Sequence, residues 1–344
     1  MNSSALVEPA MAVLSIATAV LMAGAISPPP RTQPAGKGKM PRLIALSTVP
    51  LALGAYAPAV QMAGKLSDPH AVLLQCSTYL VAVASVGTVR MAAESSISVT
   101  PATWRAGIEL GLWISFAAIL EILGLQRTTA ARAGFLVRLS TVIVPLADAV
   151  LRQVWPSRLV GTAVGCSLIG VVLMVFSPEA VGSTFAGSTL LGDGLMALAA
   201  LFYSGHIVRL SMLAPKSEPW SLATAKSLTQ LTCCAVPLAL LAATRGAASA
   251  LLPMPTGLWK IALFTGTVTC AFPMWAQGFG QQVVRASHVS LIYAMAPVWN
   301  AIIARLLLGQ HLRPRAFAGA LFVCVGMVIS IIATASDSDD ISAI

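Results

Sequence analysis

Charge is scarce in this chain. Of its 344 residues, 10% are Asp, Glu, Lys or Arg, where soluble domains carry about a quarter. The polar shell that keeps a folded domain in water is therefore missing. Acidic residues are the rarer sign, 12 against 21 Lys and Arg, giving a formal net charge of +9. The basic residues stand singly among loops and form no stripe that could track a nucleic-acid backbone, so no nucleic-acid partner is expected. Histidine is sparse too. His70, His206, His288 and His311 are dispersed, without an HExxH element, paired aspartates or a Ser/His/Asp set, which argues against an enzyme. Cysteine offers no framework either: Cys76, Cys166, Cys233, Cys234, Cys270 and Cys324 show no CxxC or regular spacing. Neither disulfides nor a zinc site is expected; the thiols read as small packing residues. No metal or cofactor is expected.

What is abundant is apolar sequence, 57% of the chain, with a mean hydropathy of +0.84. Such a chain must sit in a bilayer, where every backbone polar group has to be satisfied internally. The runs are long and unbroken rather than alternating, which selects helices over a barrel. Eleven stretches meet the length of about 20 residues that a span needs: 5–26, 43–65, 71–93, 103–126, 130–152, 157–177, 190–213, 219–243, 257–281, 286–308 and 314–334.

The chain is also written twice. Ser67-Asp68-Pro69-His70 returns as Ser217-Glu218-Pro219-Trp220, and Ala130-Ala131-Arg132-Ala133 returns as Ala286-Ser287-His288-Val289. An offset of 156 further places Glu121 on Gln277, Gly124 on Gly280 and Val142 on Val298. The organisation expected is a first five-helix repeat over 43–177, a linker at 178–189, a second repeat over 190–334, and an acidic tail at 335–344. Five is odd, so the second repeat enters the membrane from the opposite side and the halves are inverted. Residues 1–42 hold an extra hydrophobic helix or leader followed by a basic linker with Arg31, Lys37, Lys39 and Arg42. The leader lacks the basic start of a cleaved signal, which favours an uncleaved helix, although an organelle-targeting leader also suits it. The positive-inside rule puts the basic linker on the cytoplasmic side or its organellar equivalent. Whether the membrane is the plasma membrane or that of an organelle such as a plastid stays open at this point.

Particular residues resemble a known family. The run from Gly124 to Leu136, continued by Val142-Ile143-Val144-Pro145, is similar to the junction of the third and fourth helices in EamA-type members of the drug/metabolite transporter superfamily. In the second half, Trp275-Ala276-Gln277, Arg285-Ala286-Ser287-His288, Ala296-Pro297-Val298-Trp299 and Leu306 through Leu312 resemble the family's closing motifs. The resemblance spans 43–334. It implies ten transmembrane helices in two inverted halves that move small organic solutes by alternating access. The chain departs from the pattern where Gln310 and Ala296 stand in place of the family's usual acidic residues.

Ionisable residues inside spans cost about 2.5–3.5 kcal/mol each on insertion scales and usually face a cavity or a partner. Arg138, Thr141, Pro145 and Asp148 share one face of the fourth repeat helix, with Arg138 near its middle. A guanidinium there suits a carboxylate or phosphate on a solute, or an internal pair with Glu121 or Asp148. Glu121 and its repeat-mate Gln277 keep polar groups at one depth, either flanking a solute or making interhelical hydrogen bonds. Asp148 lies toward a helix end and is expected to reach the interface. Lys226 is expected to snorkel, so its loss should change little. Tyr56, Trp113, Tyr203, His206, Tyr293 and Asn300 gather at mid-depth rather than in interfacial belts. Tyr56 lies between Gly54 and Pro58 and Tyr293 precedes Pro297, so both are expected beside helix breaks, where carriers place solutes. Against each stands ordinary packing with satisfied hydroxyls. His206 could also carry a proton. The resemblance implies a cavity lined by helices that bear Tyr56, Trp113, Glu121, Arg138, Thr141, Tyr203, His206, Gln277, Tyr293 and Asn300.

Gly161-Thr-Ala-Val-Gly165 has the spacing that lets helix backbones touch, with Gly319 near the equivalent place; packing within the chain is expected, and a homodimer would suit the same spacing. The function expected is a carrier of amino acids or similar small metabolites, with membrane lipid as its surroundings. The alternatives are a plastid-type exchanger of anionic sugar phosphates or metabolites, and a non-transporting membrane scaffold.

Overall fold

The computed structural model describes residues 39–62, 68–92, 100–125, 127, 136–153, 155, 157–175, 187–245, 254–308 and 314–342. The apolar stretch 5–26, linker residues 31–38, the Ala130–Ala133 motif and the Gly309–Leu312 motif lie outside them. All regular structure among the described residues is helical: α1 (Lys39–Gln61), α2 (Asp68–Ala92), α3 (Pro101–Leu125), α4 (Ser140–Arg152), α5 (Arg158–Val175), α6 (Gly187–Leu213), α7 (Pro219–Arg245), α8 (Thr256–Phe264), α9 (Phe272–Gly280), α10 (Ala286–Tyr293), α11 (Ala296–Leu308) and α12 (Pro314–Ser342).

Among the described residues six helical segments are long and apolar enough to cross a membrane: Met40–Gln61, His70–Met91, Pro101–Gly124, Leu190–Lys216, Pro219–Thr244 and Ala286–Leu307. Arg158–Leu173 and Phe317–Ile329 form shorter apolar helices. The expected span at 257–281 is helical from end to end, but α8 and α9 are joined by a π-helical turn, Thr265–Ala271. Thr265, Thr267 and Thr269 each donate their hydroxyl to the carbonyl four residues back, at 2.7–2.8 Å. Such back-bonding bends helices, and single π turns widen the backbone at functional sites.

The repeated Ser-acid-Pro element is helix-start chemistry. In the second copy Glu218 accepts the N–H groups of Trp220 and Ser221, and Pro219 opens α7 without an N–H to strand. At the other end of a helix, Gln153 closes α4 with φ 55°, its N–H returned to the Ala149 carbonyl.

The chain folds as two compact units: 1–112 with 216–280 and 302–310, and 113–215 with 281–301 and 311–344. Each takes helices from both sequence halves. In the first unit α2 packs on α7 and α1 on α9. In the second, α5 packs on α12 and α4 on α10. The α5–α12 crossing joins the last helices of the two halves, as expected, but not through Gly161 and Gly165, which have open space where a side chain would stand. Its close contacts are at Gly170, where a Cβ would strike the Gly319 carbonyl and Val323, and at Gly326, which abuts Ser167. The functional spacing of small residues lies instead at Gly107-Ile-Glu-Leu-Gly111 of α3: a Cβ at Gly107 would collide with Ala225, and one at Gly111 with Thr229, both on α7. Spacing alone cannot choose between two such pairs; the residues opposite them do.

Candidate functional site

In the first unit the glycine edge of α3 draws the backbone of α7 in at Leu222 and Lys226. Lys226 is thereby carried inward instead of snorkelling: it is 1% exposed and among the largest fully buried side chains. Its Nζ donates to Gln277 Oε1 at 3.1 Å. Gln230, one turn on from Lys226, is buried with an Oε1 that finds no donor among the described residues. Beside them Trp275 of α9 stacks between Trp220 and Phe279, with ring centroids 5.1 and 5.2 Å apart, and the Arg42 guanidinium lies over Phe279 at 5.4 Å. At 100° per residue Gln277 stands on nearly the opposite side of α9 from Trp275 and Phe279. Tyr56 differs from its expectation. Helix α1 runs unbroken through Pro50 and Pro58, so no interruption adjoins Tyr56, which is exposed and donates to Gln75 Oε1 at 2.8 Å.

In the second unit Tyr203 of α6 donates its hydroxyl to Glu121 Oε2 of α3 at 2.7 Å. Glu121 and Tyr203 both act electrostatically on Arg138. Arg138 ends a helical stretch at 136–138, and the single turn residue Leu139, whose N–H returns to the Leu136 carbonyl, separates it from α4. Trp113 rests over Gly205 and against Phe202, centroids 5.3 Å apart. Both members of the repeat pair, Glu121 and Gln277, thus accept a hydrogen bond from a side chain on another helix.

Asp148 does not reach the interface. It is 1% exposed, accepts the Ser287 hydroxyl at 2.7 Å and lies 3.7 Å from Arg285 Nε. Thr141 and Pro145 are buried on the same face of α4, as the 100° spacing requires. Ser287 and Arg285 lie 139 and 137 positions from Asp148, and no local spacing in the sequence pairs them with it. His206 and Tyr293 are buried in the same unit, with Asn300 partly buried. The expected break beside Tyr293 is present: α10 ends there and two turn residues, Ala294 and Met295, precede α11. Pro297 brings no N–H to the ladder, which accounts for the break.

These features define a polytopic helical membrane protein that keeps charge on the buried faces of apolar helices. Residues 190–332 match the EamA-like transporter family, so the second half carries an EamA-like domain and the resemblance to EamA-type members of the drug/metabolite transporter superfamily holds. An uncharacterised transporter of Archaeoglobus fulgidus is 23% identical over 227 residues, which cover 66% of this chain and 68% of that protein. A protein crystal structure superposes with a TM-score of 0.70 at 19% identity, over 87% of this chain and 99% of the other; that likeness concerns the fold.

Proposed function

We propose that the chain is a multi-pass carrier of small organic metabolites, amino acids or solutes like them, moved by alternating access at mid-depth between two inverted five-helix repeats. The observation that carries this reading is the pair of charged clusters, Lys226 on Gln277 and Glu121 on Tyr203 beside Arg138. A scaffold gains nothing from ionisable groups that cost about 2.5–3.5 kcal/mol each to insert. The duplication is supported by which helices touch: α2 and α7 are the second helices of their halves, α4 and α10 the fourth, α5 and α12 the fifth. A two-fold axis running between inverted repeats brings equivalent helices together in this way. The break before Pro297 supplies the irregular backbone that carriers use around solutes.

A second reading, exchange of anionic sugar phosphates or similar anions, is favoured by Lys226. Its ammonium is buried against a neutral amide, and among the described residues no carboxylate pairs with it. A solute anion would supply the missing charge.

The test is flux into proteoliposomes across a panel of neutral and anionic metabolites, wild type against empty vesicles. Flux no greater than that of empty vesicles for every solute would favour the scaffold. Net uptake marks the first reading, and strict counter-exchange of anions the second.

A further inference from the structure

We propose that Cys76 and Cys234 form a dithiol modification site, which a two-electron oxidant of the peroxide class closes to a disulfide that staples α2 to α7. The two sulfurs are 3.1 Å apart, although 158 positions separate the residues, and the Cys76 thiol also reaches the Cys234 carbonyl at 3.4 Å. Closing that gap to a covalent bond needs a movement of about 1 Å, within what rotation of two side chains supplies. The pairing is specific: among the described residues no other two thiols are hydrogen-bonded to each other, and all six are free. Cys233 is adjacent in sequence to Cys234, but neighbouring residues on a helix point about 100° apart. A metal is a poor occupant, since no third His, Cys, Asp or Glu of the described residues joins the pair, and structural zinc takes four ligands.

The chemistry balances with hydrogen peroxide as the co-reactant. One thiolate attacks the O–O bond and becomes a sulfenic acid, releasing hydroxide, which takes up the proton of that thiol to leave as water. The second thiol then displaces the sulfenic hydroxyl, which departs with its proton as a second water. Two S–H bonds are lost, one S–S bond forms, and peroxide is reduced. Cys76 is half-buried rather than sealed, which leaves a small oxidant a path. The bond would fix α7, two turns beyond Lys226, to α2, one residue beyond the Gln75 that holds Tyr56.

The experiment uses the full chain in liposomes. After treatment with hydrogen peroxide, free thiols are capped with N-ethylmaleimide and the protein is digested and weighed. The expected product is one cross-linked pair of peptides containing Cys76 and Cys234, lost on reduction with dithiothreitol. It should be absent from Cys76→Ser and Cys234→Ser and retained in Cys233→Ser. The oxidised wild type should also unfold at a higher temperature than the reduced protein, and Cys76→Ser should show no such shift. Recovery of Cys76 and Cys234 as capped thiols, or of a link from Cys76 to Cys233, overturns the proposal.

Discussion

Lys226 Nζ meets Gln277 Oε1 at 3.1 Å in the interior of the first unit, an ammonium held by an amide. Gln277 follows Glu121 by the 156 positions of the sequence offset. Removing one partner of a buried polar pair strands the other at about 1–3 kcal/mol, and more when it is charged, whereas replacing both with apolar groups is close to neutral. Gln277→Leu should therefore lower the melting temperature in detergent, while Lys226→Met/Gln277→Leu should recover most of the loss. A double variant no more stable than Gln277→Leu would show that the pair is not an energetic unit.

Arg138 stands beside Glu121 and Tyr203. If it also faces the solute, Arg138→Ala should lose transport of anionic solutes well before that of neutral ones. Equal loss for both classes, together with a lowered melting temperature, would mean that the guanidinium serves the fold alone.

Gly107 and Gly111 touch α7 side chains that leave no room for a Cβ, while Gly161 and Gly165 face open space. Forcing extra atoms into a packed contact costs about 1–3 kcal/mol. Gly111→Val should depress the melting temperature and the yield of monodisperse protein; Gly165→Val should leave both unchanged. A loss at Gly165 in dilute detergent alone, rescued at higher protein concentration, would instead support a homodimer through that face.

Asp148 accepts from Ser287 and lies near Arg285. Ser287→Ala leaves that carboxylate one donor short and should cost about 1–2 kcal/mol. Asp148→Leu, which removes the acceptor for both, should cost more. Thermal unfolding of the two variants checks the order.

Much of this molecule is legible without coordinates. The shortage of charge against the long apolar runs dictated helices in a bilayer, because lipid offers the backbone no other partner. Ser217-Glu218-Pro219-Trp220 marked the start of α7, because the acid and the proline act on their own backbone neighbours. The break before Pro297 followed from a missing N–H. Pro58 illustrates the limit of that rule, since α1 runs on through it.

Partners distant in sequence were not legible. Helical spacing says which residues share a face but not what stands opposite, so Lys226 reads as a snorkelling residue until the glycine edge of α3 is seen to draw its helix inward. Asp148 likewise reads as interfacial until α10 covers it with Ser287, and Cys76 has no partner until α2 lies on α7. Local chemistry, written in neighbouring residues, determined the helices and their starts. Which buried group meets which was decided by packing alone, because contacts across more than a hundred residues arise only when whole helices are laid side by side.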